Sequence, residues 1–154
     1  MPGRDVNETR GAIAEATDAV LATLSARLDA LVASWQLAID SKRKAPVGND
    51  KVRSPMEVLA ELESELANLE RRCADQRGAS DVEAEAAREW ERRAMFAVQD
   101  GRDDVARDAL NQLRNHMDAA TRLATEASEL EVLRDSYRNA VKAVRMTNAS
   151  VAAV

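Results

Sequence analysis

Residues 54–73 read SPMEVLAELESELANLERRC. Ser54 is placed to cap a helix, Pro55 fits the first helical position, and Glu57 stands where a capping box requires an acid. Leu59, Leu62, Leu66, Leu69 and Cys73 then follow at steps of three and four. That spacing lines one helix face with apolar side chains and defines a coiled-coil seam. Cys73 sits on the seam, so it reads as a small buried hydrophobe rather than a reactive thiol.

Toward the C-terminus, residues 76–81 (QRGASD) read as a turn, with Gly78 closing one helix and Ser80 or Asp81 capping the next. From Asp81 to Met146 there is no proline and a single glycine, Gly101. A second seam runs through Ala106, Ala109, Leu113, His116, Ala120, Leu123, Ala127, Leu130, Arg134, Tyr137, Val141 and Val144. Asp100-Gly101 is a local helix-stop signal, and Asp103 resembles a new N-cap. The seam nevertheless continues at helical spacing. The expected fold is all-α: a long antiparallel helical hairpin over 55–146, with arms 55–77 and 81–146, and a frayed tail over 147–154.

Toward the N-terminus, residues 1–7 carry no pattern, and residues 8–40 read as an amphipathic helix, giving an N-terminal segment 1–40. Its apolar residues Leu21, Leu24, Leu28, Leu31, Trp35 and Ala38 keep the same spacing, widened by Val20, Val32 and Ile39. Pro46, Gly48 and Asn49 break the helix in a linker over 41–54. Segments 1–40, 41–54 and 55–154 carry net charges of −3, +4 and −6. A basic linker is drawn to anionic lipid by roughly 1 kcal/mol per basic residue near the surface. It serves equally as a solvated tether.

Composition bounds the function. The chain has 154 residues, 30 of them alanine, with 3% aromatics and 32% charged residues. That is a helix former's mixture and disfavours β-sandwiches. A net charge of −5 disfavours a general nucleic-acid binder. One cysteine gives no internal disulfide and suits a cytoplasmic setting. No stretch approaches a membrane-spanning length, and no secretory leader is evident. Alanine-lined seams let helices approach closely but bury little area per contact, which favours stacking between copies.

No catalytic constellation emerges. His116 is a lone seam histidine without a metal set, Cys73 lies on another helix, and the glycines form no phosphate loop. Asp103 and Arg107 read as an i,i+4 pair on a solvated face. Neither an enzyme nor a cofactor is expected.

Residues 89–113 read EWERRAMFAVQDGRDDVARDALNQL. Trp90, Glu91, Ala94, Ala97, Gly101, Arg102, Asp104, Ala106, Arg107, Ala109 and Leu110 form a pattern that resembles the phage shock protein A family of the ESCRT-III membrane-remodelling superfamily. The Ser54-Pro55-Met56-Glu57-Val58-Leu59 entry is similar to that family's first long helix. The resemblance covers about 54–145 and suggests a short bacterial-type member without the later helices. It implies a hairpin that polymerises into rings, rods or filaments, with the motif on the second arm at contacts between neighbours. It also implies that the helix runs straight through Gly101, and that the N-terminal helix binds membrane. The matching membrane contacts are Leu24, Leu28, Leu31, Trp35 and Ile39, followed by Lys42, Arg43 and Lys44. The expected partners are further copies of the chain and an anionic membrane face on the cytoplasmic side, in remodelling or envelope-stress protection. The alternative is a soluble coiled-coil adaptor, with helix 8–40 packed on the hairpin and a helical protein as partner.

Overall fold

The computed structural model describes residues 5–43 and 53–153, which form α1 (Asp5–Arg43), α2 (Pro55–Gln99) and α3 (Asp103–Ala152). The capping box at the start of α2 forms as its residues require. The Glu57 amide donates to Ser54 Oγ at 3.2 Å, and the Ser54 amide donates to the Glu57 carboxylate at 3.4 Å.

The hairpin turn lies elsewhere than expected. α2 passes through Gly78 and ends at Gln99, so arms of 55–77 and 81–146 are replaced by α2 and α3. Gly101 takes φ of 69°, its amide donates to Val98 O at 3.1 Å, and the Arg102 amide donates to Ala97 O at 2.8 Å. This pair of bonds is a Schellman motif with glycine at the left-handed position. The Ala106 amide then donates to Arg102 O at 3.0 Å, so Arg102, not Asp103, caps α3. Asp103 and Asp104 fill the first turn, where carboxylates favour the helix dipole. The local stop signal therefore outweighs the continuous helix implied by the family resemblance. At Gly78 the opposite holds. One exposed helical glycine costs about 1 kcal/mol, and hydrogen bonds on either side hold the helix to α3. Gln76 donates to the Glu126 carboxylate, and Ser80 Oγ donates to Ala120 O at 3.0 Å.

The chain divides into two units. Unit 1 comprises residues up to 70 and from 130 onward. Within it, Arg145 and Arg138 reach Glu63 and Glu70 at 2.8 and 3.2 Å, so α2 and α3 run antiparallel. α1 packs as a third helix. Tyr137 Oη donates to Leu24 O at 2.8 Å, and Trp35 Nε1 donates to Asn148 Oδ1 at 3.1 Å. Both contacts span 113 residues, so α1 runs parallel to α3. Leu31, Ala38 and Ile39 join Val58, Leu59, Leu62, Leu69, Leu130, Leu133, Tyr137, Val141 and Val144 in the core. Arg53 pairs with Glu61 and, with Arg27 at 3.3 Å, holds that carboxyl below its usual range against the effect of burial.

The ends of the helices also differ from expectation. α3 continues through Thr147 to Ala152 rather than fraying, held by the Trp35–Asn148 bond. α1 includes residues 5–7 and 41–43, taken above as unpatterned start and linker. The rest of the linker, 44–52 with Lys44, lies outside the described residues.

Unit 2 comprises Arg71–Glu129 and contains the hairpin turn. Its two helices meet through Cys73, Ala87, Ala94, Ala97, Ala106, Ala109 and Ala127, all buried. His116 Nδ1 donates to the Glu83 carboxylate at 2.5 Å.

Candidate functional site

The motif residues divide by the heptad. Ala94, Ala97, Ala106 and Ala109 are buried on facing seams and close the hairpin end. They pack within the chain rather than presenting a surface to neighbours. Gly101 and Arg102 make the turn, so most of the motif spans the turn instead of lying along a second arm. Trp90 is half-buried at a seam position, with the Arg93 guanidinium 4.6 Å from its ring centroid. Glu91, Asp104 and Arg107 face solvent, and Leu110 is half exposed. The expected Asp103–Arg107 pair is not among the ion pairs of the described residues.

The residues flanking the seams carry more information. Stepping by seven from Glu63 and Glu70, α2 presents Arg77, Ala84, Glu91 and Val98. Stepping back by seven from Arg145 and Arg138, α3 presents Glu131, Ala124, Met117 and Leu110. These rows face each other across an antiparallel coiled coil. In unit 1 they are salt-bridged. In unit 2, apart from Arg77 and Glu91, the row is apolar or small, and Val98, Leu110 and Met117 are exposed by 62%, 50% and 54%. Met95 lies beside them, 58% exposed. Between the helices opens a groove of about 280 Å³, with Ala84, Ala87, Leu113, Met117 and Ala120 on its floor and Arg88, Glu91 and Thr121 at its edge.

Sequence reasoning missed this groove, because its register depends on where the turn falls. With the turn at residues 76–81, Glu91 and Met117 belong to one helix. With the turn at 100–102 they face each other.

The expected membrane row is differently placed. Leu31 and Ile39 are core residues of unit 1, and Leu24, Leu28 and Trp35 are half-buried there. Lys42 is exposed, and Arg43 is helical. Among the described residues no helix is long and apolar enough to cross a membrane, and no group of three or more His, Cys, Asp or Glu side chains is placed to hold a metal ion.

Fold and groove together define an all-α coiled-coil protein whose groove offers apolar and charged contacts. Comparison with family models, curated proteins and solved structures gives no match.

Proposed function

We propose that the protein is a non-enzymatic, self-assembling helical scaffold, similar in action to phage shock protein A and working at a membrane face. The observation that carries this reading is the composition of unit 2. Its buried apolar residues are all alanines apart from Cys73, while Met95, Val98, Leu110 and Met117 remain in water. Covering such side chains is favourable by about 1.5–3 kcal/mol each when burial is complete. Further copies of an alanine-rich hairpin are well shaped to cover them. The +4 segment 41–54 supports attraction to anionic lipid.

A second reading is favoured by one specific observation. The apolar row of α1 is already satisfied inside unit 1, as in a soluble coiled-coil adaptor that binds a helical protein partner. Membrane insertion through α1 would require that row to leave the bundle.

Sedimentation velocity over a concentration series tests self-assembly. Growth in size with concentration is expected, and a monodisperse monomer at high concentration overturns the proposal. Co-sedimentation with anionic vesicles at low salt tests the membrane role, and retention in the supernatant leaves the adaptor. Trp35 fluorescence in a Trp90→Phe variant locates the helix. A blue shift that appears only with lipid supports insertion, whereas a blue-shifted signal without lipid supports the bundle.

A further inference from the structure

The groove of unit 2 is lined by one arginine and one acid, and further arginines continue its row on α3 toward the turn. Arg88 lines it directly, and Arg114 and Arg107 stand one and two heptads before Thr121 on the same row of α3. Arg107 and Arg114 are exposed, and among the described residues neither makes an ion pair or hydrogen bond with another side chain. Arg88 reaches only Glu85 on its own helix, at 3.1 Å. Glu91 is the one acid that lines the groove. An alanine-rich floor, with Arg88 at its edge and the guanidinium groups of Arg107 and Arg114 further along the same side, fits a helix that presents small residues and carboxylates.

The chain carries such a surface on the outward side of α1. Asp18, Ala22, Asp29, Ala33, Leu37 and Asp40 fall on one exposed row, with Leu37 64% exposed. The aspartates recur every eleven residues. That is three helical turns, so the row drifts by only about 20° per step and stays on one face. Among the described residues none of the three aspartates is ion-paired. The row lies opposite the side that packs in unit 1, so α1 presents it without leaving its own bundle.

We propose that the outward aspartate row of α1 in one copy seats in the groove of unit 2 in a second copy. The inference rests on the self-assembly reading above and names its interface. Charge complementarity selects this occupant over a second groove, which would set Arg88, Arg107 and Arg114 against their equals. The two surfaces differ, so the contact is heterologous. Each copy carries both surfaces, so contacts of this kind can join copies into a reciprocal pair, a ring or an open chain. The arginines set partner and orientation, and the alanine, leucine and methionine floor supplies the buried area. Assembly therefore weakens as salt rises.

Two charge-reversed variants test the contact in the full chain: Arg107→Glu with Arg114→Glu, and Asp29→Lys with Asp40→Lys. All four positions are exposed, and helical circular dichroism with thermal melts verifies that each variant folds. Each alone is expected to need about tenfold or more protein for half-assembly. The equimolar mixture is expected to assemble like the wild type, because the acidic groove of one accepts the basic row of the other. Wild-type assembly by either variant alone, or a mixture as dissociated as its components, overturns the proposal. The groove could instead bind lipid. Vesicles of phosphatidylserine and phosphatidylcholine decide this: if the arginine variant loses vesicle binding while its self-association is untouched, the groove is a lipid surface and the proposal falls. A wild-type chain that stays monomeric at every concentration overturns the underlying self-assembly reading as well.

Discussion

The largest side chains that leave water completely are Tyr137, Leu62, Leu69, Val58 and Val144, and all belong to unit 1. In unit 2 every buried apolar residue except Cys73 is an alanine, and Ser80 and Glu126 are buried beside them. Both regions use the same heptad and the same antiparallel pairing of α2 with α3. They differ in what covers the pair. Unit 1 receives α1 as a third helix and forms a large aliphatic core around it. Unit 2 is a two-helix stretch whose buried alanines bring the helices together yet leave Val98, Leu110 and Met117 beside them in water. Spacing decides which residues face one another. Side-chain volume decides whether a region completes its own core.

The contrast can be broken most strongly in the core of unit 1. Leu62→Ala removes a side chain with no exposure and is expected to cost about 2–5 kcal/mol in urea unfolding. Leu113→Ala in the groove of unit 2 is expected to cost only about 1 kcal/mol, since that side chain is only partly buried. Equal losses would show that the two regions are packed alike.

Tyr137 offers a spectroscopic version of the same comparison. Burial pushes its hydroxyl from 10.0 up to about 12. The neutral phenol is thus favoured in the folded state. Its contribution to stability is complete below pH 10 and is lost as pH rises toward about 12. It is the only tyrosine in the chain, so tyrosinate absorbance reports this site alone. The folded protein is expected to show little tyrosinate at about pH 11, whereas the urea-unfolded chain is largely ionised. Titration at the ordinary value with helicity intact would mean that unit 1 does not close around Tyr137.

The glycines give smaller effects of opposite sign. Gly101→Ala places a Cβ at φ of 69°, with open space around it. Strain alone is expected to cost about 1–2 kcal/mol. Gly78→Ala also enters open space, but in ordinary helix. It is expected to stabilise the protein by about 1 kcal/mol. Thermal melts of the two variants separate the glycine that makes the turn from the one that α2 merely tolerates.

Much of this was legible in the sequence. The rows from Leu59 to Cys73 and from Ala106 to Val144 describe both arms, and Ser54 and Glu57 mark the start of α2. Asp100-Gly101 marked the turn as well, but the family resemblance favoured a continuous helix there. Gly78 beside Ser80 and Asp81 imitated a turn, because propensity does not register the bonds that Gln76 and Ser80 make to α3. The seam continues at the same spacing through Ser80, Glu83, Ala87, Trp90, Ala94 and Ala97. Polar and small residues make that continuation faint, since their burial depends on partners distant in the chain. The groove is hidden for the same reason: Glu91 and Met117, which line it, face each other only once the turn is placed. For α1, periodicity revealed an apolar face without specifying its partner. Leu31, Ala38 and Ile39 find that partner in unit 1.

We propose that unit 1 closes on its own third helix while unit 2 is completed by another copy. Amide hydrogen exchange, resolved along the chain in dilute and concentrated protein, tests it most directly. Strong protection over 55–70 and 130–150 is predicted at both concentrations. A gain in protection confined to 84–98 and 106–121 is predicted on concentration. Identical exchange in unit 2 at both concentrations would show that no second copy covers it.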